Sequence, residues 1–433
     1  MDIEVIKKLI VEYQEFIGSV KFHRRSFSFE INARYVIVGI RQAGKSYLLY
    51  QRAHELLESG HELREICYIN FDDERLMGFS AADFDMVLDA YRSMFDCEPI
   101  LMFDEIQNIE GWERFARRLA NQGQKVFITG SNAKMLSREI ATTLGERYVA
   151  KTVEPYSFEE YLTASGIVLD KNWWYGSARM SVRRVFETYL RFGGFPESLK
   201  YDDKRDWLNG LFGRIFFNDM VVRNGVKNVD ALRLCVKRLA ENVGQPISCT
   251  RLSNLLKAAG YGTSPASVLD YLGFMRESCM LFSVANYAAK FAEKESVKKH
   301  YFADNGILNL FLSNPDSALL ENLCALWLRR KYSERLFFYR KNIEVDFFVP
   351  DEGLAVQAAI SVNDADTLHR EVSALSKLNA YHPLKTMVIV TLDESRVIED
   401  KSGVRIEVVP IWRWMINDEM RSLTLAILRK GDK

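Results

Sequence analysis

The chain has 433 residues, 48% apolar and 27% charged, a balance that suits a soluble globular protein of two to four domains. Lysine plus arginine (58) matches aspartate plus glutamate (58), so no global field recruits nucleic acid and any such binding must come from a local patch. The six Cys lack C-x-x-C spacing and read as reduced core residues, and no stretch approaches the ~20 apolar residues of a membrane span.

The opening residues, Met-Asp-Ile-Glu-Val-Ile-Lys-Lys, mix acid and base without a signal-type apolar core, which predicts a cytoplasmic protein. The first chemical feature follows a buried apolar strand, Tyr35-Val-Ile-Val38. Gly39-Ile40-Arg41-Gln42-Ala43-Gly44-Lys45-Ser46 is a complete G-x-x-x-x-G-K-[ST] phosphate loop, and a helix is predicted over 46–59. Such a loop turns successive backbone N–H groups around nucleotide phosphates, and the helix N-terminus adds a favourable dipole. Gly39 and Gly44 permit backbone conformations that a Cβ would block. Lys45 is expected at the β/γ-phosphates and the Ser46 hydroxyl on Mg²⁺, so Gly39 through Tyr47 form the predicted nucleotide-binding segment.

Apolar runs at 66–71, 100–103, 126–129 and 148–153 alternate with helical stretches, which predicts a parallel α/β sheet. The run Ile100-Leu-Met-Phe103 delivers two acids at its end. Asp104 is expected in the Mg²⁺ shell and Glu105 as general base toward the attacking water. The fourth run ends Thr129-Gly-Ser131-Asn132. Ser131 or Asn132 is placed to report the γ-phosphate, and a helix cap for 133–140 explains them equally well. Phosphoryl transfer calls for a further cation. Arg138 and Arg147 are the candidates and Arg147 the better placed; a surface arginine paired with Glu146 is the competing reading. Arg41, inside the loop, faces phosphates or a partner.

From Pro155 helical patterns dominate, over 158–164, 180–190 and 207–218, with Phe192-Gly-Gly-Phe-Pro-Glu197 as a tight turn. Helices over 229–242, 250–259 (Thr250 as N-cap) and 264–277 (Ser264 as N-cap, Pro265 at the first helical position) precede a strand pair at 281–287 and 297–302. That order fits a winged helix-turn-helix. Its basic residues (Lys237, Arg238, Arg251, Lys257 and Arg276, then Lys290, Lys294, Lys298 and Lys299) suit protein docking or weak DNA-backbone binding. The last segment is α/β again: a helix over 319–331, strands near 336–339, 343–349 and 354–360, a helix over 365–378, and strands near 386–391 and 404–409.

The phosphate loop, Phe103-Asp-Glu-Ile-Gln107, Thr129-Gly-Ser-Asn132 and Glu154-Pro-Tyr-Ser-Phe-Glu-Glu-Tyr161 together resemble a large prokaryotic family of AAA-type P-loop ATPases. Phe192-Gly-Gly-Phe-Pro-Glu197 and Tyr301-Phe-Ala-Asp-Asn-Gly-Ile307 are similar to that family's middle module of unknown function. The resemblance implies ATP rather than GTP, and it implies a C-terminal restriction-endonuclease-like fold. That fold's cleavage site needs an acid in a helix, a strand Asp, and Glu-x-Lys on the next strand. Glu321 and Asp346 fill the first two places, but Gln357 replaces the acid and Ala359 the lysine, so nuclease activity is not expected. The resulting expectation is an α/β protein of four segments. They are an ATPase domain (1–160), a helical linker region (161–228), a winged helix-turn-helix (229–315) and an inactive nuclease-like domain (316–433). It would be a cytoplasmic, Mg²⁺-dependent ATP-hydrolysing switch coupled to a protein partner, with homo-oligomerisation open and no membrane contact. An ATP-gated DNA-processing protein and a signalling scaffold with little turnover are the alternatives.

Overall fold

The computed structural model describes residues 1–170, 172–399 and 405–416. They form two compact units. The first comprises Met1–Pro155 with Glu277–Cys279, and the second Tyr156–Arg276 with the described residues from Met280 onward.

The first unit is built on a five-stranded parallel sheet: β1 (Tyr35–Val38), β2 (Ile66–Asn70), β3 (Ile100–Asp104), β4 (Lys125–Gly130) and β5 (Val149–Thr152), in the order β2-β3-β4-β1-β5. Every residue of β1 and β3 is buried, as expected where helices cover both faces, so these runs are continuously apolar rather than alternating. Parallel pairing sets Val38 beside Gly130 and Thr152, and Asn70 beside Asp104. The carboxyl ends of all five strands therefore share one edge of the sheet. β4 lies between β1 and β3, so the strand leading to Ser131 separates the phosphate loop from the acid pair. A helix not anticipated from the sequence, Ile3–Ser19, starts at the Asp2 cap and buries Ile6, Leu9 and Ile10 in the same core as Val36, Ile69 and Phe103.

The second unit carries a nine-stranded mixed sheet. Its strands are β6 (Ile247–Ser248), β7 (Leu281–Asn286), β8 (Val297–Phe302), β9 (Phe337–Arg340), β10 (Glu344–Val349), β11 (Leu354–Ala358), β12 (Thr386–Thr391), β13 (Arg396–Glu399) and β14 (Arg405–Pro410). Their order is β13-β14-β12-β11-β10-β9-β7-β8-β6. The strand pair read as a wing, β7 and β8, joins this sheet through parallel pairing of β7 with β9, Ala285 beside Phe337. Three helices precede the pair, Val229–Glu241, Cys249–Ala258 and Pro265–Glu277. The second starts earlier than the expected Thr250 cap, because the Ser248 hydroxyl accepts the Arg251 N–H at 3.2 Å. The helix expected over 207–218 is α-helical over Lys204–Arg214 and continues as a π-helix over Ile215–Val222.

The motifs around 192–197 and 301–307 meet in one buried joint. Gly193 has φ +72°, and a Cβ there would lie 1.9 Å from Asp304 Oδ1. The Asp304 carboxylate accepts the Gly194 and Gly306 N–H groups at 2.8 and 2.7 Å. Asn305 and Asn309 donate to the carbonyls of Leu190 and Arg191, closing the end of helix Ala178–Phe192. These motifs hold the fold together.

Candidate functional site

The phosphate loop leaves β1 at Gly39, whose N–H donates to the Gly130 carbonyl at 3.3 Å. Any Cβ at Gly39 would meet the Val153 carbonyl oxygen at 2.0 Å, so glycine is required there. Gly44 (φ +95°) and Gln42 (φ +62°) both take the left-handed conformation that curls the loop. Ile40 and Ala43 are buried, anchoring it from below. Arg25 braces it, donating to the Ala43 carbonyl at 3.0 Å and the Glu154 carbonyl at 2.9 Å. Helix Lys45–Glu58 follows directly, with Tyr47 exposed on its first turn, edge-on to Tyr50.

Lys45 is buried, and its ammonium donates to the Gly39 and Ile40 carbonyls at 3.1 and 3.3 Å. It also pairs with Glu105 Oε1 at 3.3 Å. Asp104 is buried at the end of β3 and accepts hydrogen bonds from Tyr68 (2.6 Å) and Thr129, with the Ser46 hydroxyl near enough to favour its charged form. Burial and the adjacent Glu105 charge raise its carboxyl above the usual range. Burial also pushes Glu105 up, but the Lys45 ammonium, Gln107, Ser131 and Arg41 outweigh it and hold this carboxyl below its ordinary value. The geometry thus joins Lys45, Ser46, Asp104, Glu105 and Ser131, with the Arg41 charge close by. A hydroxyl beside a carboxylate offers the hard oxygen donors that Mg²⁺ takes, most of its shell being left to water and phosphate.

Arg147 lies just before β5, away from the phosphate-loop edge of its own chain. β5 must be re-entered from the opposite edge of the sheet to run parallel with β1, and Tyr35 pairs with Val149. Arg147 precedes that strand and is exposed, about 15 Å from the phosphate-loop edge at the usual rise per residue. Arg138 is exposed at the start of helix Arg138–Thr143. Tyr68, Thr129 and Gln107 belong to the site and were not singled out from the sequence. Gln107 and Thr129 lie within the motifs that carry the family resemblance, whereas Tyr68 carried no signal.

In the second unit the side chains at the nuclease-like positions are held together by a lysine. Lys299 of β8 is fully buried, with its ammonium 3.1 Å from Asp346, 3.4 Å from Glu344 and 3.5 Å from Glu321. Burial opposes its charge, yet Asp346, Glu321 and Glu344 together hold it above the usual lysine range. Glu321, next to Tyr301 at 2.8 Å, is pushed up to about 7 by burial and by Asp346. Gln357 is committed to the backbone: its Oε1 accepts the Asp346 N–H at 2.8 Å and its Nε2 donates to the Glu344 carbonyl at 3.2 Å. Ala359 packs into a core with Val345, Leu375 and Ile389. Among the described residues no group of three or more His, Cys, Asp or Glu is arranged to hold a metal ion.

Residues 32–162 match the family model described as an AAA domain, and residues 183–318 match a domain of unknown function, DUF8612. With the sheet order and loop just described, the first unit is a P-loop ATPase domain of the AAA type. The uncharacterized protein MJ1544 of Methanocaldococcus jannaschii is 31% identical over 433 residues, covering 95% of each chain. An uncharacterized protein of Haemophilus influenzae is 31% identical over 340 residues, 76% of this chain and 82% of that one. The chain belongs to the family of these two proteins. Solved structures with some likeness include the Walker-type ATPase PABY2304 of Pyrococcus abyssi (14% identity, 72% of this chain, 95% of that one, TM-score 0.36). The ORC1 protein of Aeropyrum pernix, solved in complex with DNA, is another (15%, 75% and 94%, TM-score 0.29). No helix among the described residues is long and apolar enough to cross a membrane.

Proposed function

We propose that this chain hydrolyses ATP with Mg²⁺ and uses the cycle as a switch, its second unit passing the nucleotide state to a protein partner. The observation that carries the reading is the Lys45–Glu105 contact of 3.3 Å at the shared edge of the sheet, with Asp104 next to it and the Ser46 hydroxyl favouring that carboxylate's charge. In this reading the loop N–H groups and Lys45 bind the phosphates, while Ser46 and Asp104 would hold Mg²⁺. The metal supplies charge neutralisation across the β- and γ-phosphates. Glu105, held ionised, accepts the proton of the attacking water, and Ser131 meets the γ-phosphate beside it. The middle helices with β7 and β8 are read as a winged-helix element. The terminal part is read as a nuclease-like fold without cleavage, its acids neutralised internally by Lys299. The test is phosphate release by the purified full chain from ATP and from GTP, with Mg²⁺ and with EDTA. Release from ATP that depends on Mg²⁺ is expected; absence of any release by a chain that still binds the nucleotide would leave only the scaffold reading.

A further inference from the structure

Glu105 stands in an unusual backbone position. Its φ is +51°, a left-handed conformation unfavourable for an L-residue with a long side chain. The turn it makes, continuing as the short helix Ile106–Asn108, brings the side chain of Gln107 back across the Glu105 carboxylate. Gln107 Nε2 donates to Glu105 Oε2 at 2.6 Å and to Ser131 Oγ at 3.3 Å. The amide must face this way, since its oxygen against a carboxylate would repel. Its carbonyl oxygen is buried without a hydrogen-bond partner, so the orientation is set by Glu105 and Ser131. Room for the amide comes from Gly130, where a Cβ would lie 2.4 Å from Gln107 Oε1 and 2.1 Å from Met135 Sδ.

The two oxygens of Glu105 are thus held by different groups, Oε1 by Lys45 and Oε2 by Gln107. Lys45 is the group that phosphates will claim, because its ammonium is otherwise satisfied only by two carbonyls of its own loop. Once it turns to them, Gln107 is what keeps Glu105 aimed. We infer that Gln107 is the positioning residue of the hydrolytic site, tying the Glu105 carboxylate to Ser131, so that the proton acceptor and the group meeting the γ-phosphate move as one. This rests on the reading of Glu105 as general base. Gln107 touches no phosphate in this account; its effect passes through Glu105 and belongs to kcat rather than to binding.

The experiment compares wild type, Gln107→Leu and Gln107→Glu by steady-state ATP turnover, and by titration with a fluorescent non-hydrolysable ATP analogue. Leucine keeps the volume and removes the donor; glutamate keeps the shape and sets a second carboxylate against Glu105. Affinity for the analogue should stay within about 3-fold of wild type, while kcat falls about 10–100-fold, the scale of a misaimed catalytic group. A purely structural role would lower the folded fraction and leave kcat per folded, nucleotide-bound chain unchanged. Unchanged kcat in either folded variant, or a loss confined to KM, overturns the inference while leaving the ATPase reading intact. Binding without turnover in the wild type overturns both.

Discussion

Glu105→Gln is expected to bind ATP as tightly as the wild type and to hydrolyse it about 10²–10⁴-fold more slowly, the range lost with a positioned general base. The substitution is nearly isosteric, and the amide can still face Gln107 and the Lys45 region. It removes only the capacity to accept a proton. Arg41, Lys45, Gln107 and Ser131 all favour the ionised carboxyl against its burial, so the base is in its working form at neutral pH. Single-turnover phosphate release beside equilibrium nucleotide binding checks this. Turnover within a few-fold of wild type would remove Glu105 from the chemistry and move the base elsewhere.

The second large effect lies in the other unit. Lys299→Met is expected to destabilise it by about 3–5 kcal/mol, because the change removes the buried ammonium between Glu321, Glu344 and Asp346 and leaves three carboxylates facing one another. Methionine fills the lysine stem's volume, so little of the loss comes from a cavity. The sign of the pH dependence follows from Glu321. Its folded pKa, about 7, already exceeds the ordinary carboxyl value, and removal of the ammonium raises it further. The folded variant then binds more protons than the unfolded chain through the mildly acid range, so its stability rises as pH falls. The deficit should be smaller at pH 5 than at pH 8. Urea unfolding followed by tryptophan fluorescence suits the measurement, since six of the seven Trp (all but Trp112) belong to the second unit. Equal midpoints for variant and wild type at pH 8 would show that the lysine does not neutralise the cluster.

The five strands of the ATPase sheet were legible because a sheet covered on both faces demands unbroken apolar runs, and Tyr35-Val-Ile-Val38 and Ile100-Leu-Met-Phe103 show them. The phosphate loop and its acid pair were legible as patterns of residue type. The helix Ile3–Ser19 could have been read: Ile6, Leu9, Ile10 and Ile17 recur at helical spacing, masked by charges between them. β13 could not, since Arg396–Glu399 is largely exposed and carries no alternation. Arg147 illustrates what local sequence omits. Its place just before β5 made it a candidate cation, and parallel topology sets that end of β5 at the far edge from the chain's own loop. Lys299 is the converse case, a wing residue by sequence that faces Glu321 and Asp346 only because β8 joins the terminal sheet. Tyr68 was hidden for a similar reason, as its hydroxyl meets Asp104 across strands rather than along one.

Titration of the full-length protein and of Lys45→Ala with a non-hydrolysable ATP analogue and Mg²⁺, read by calorimetry, puts the pocket itself to the test. Loss of a charge-assisted contact to phosphate should weaken the variant about 10–100-fold, with wild-type binding saturating at one nucleotide per chain. Equal affinities, or a wild type that takes up no nucleotide, would contradict the account.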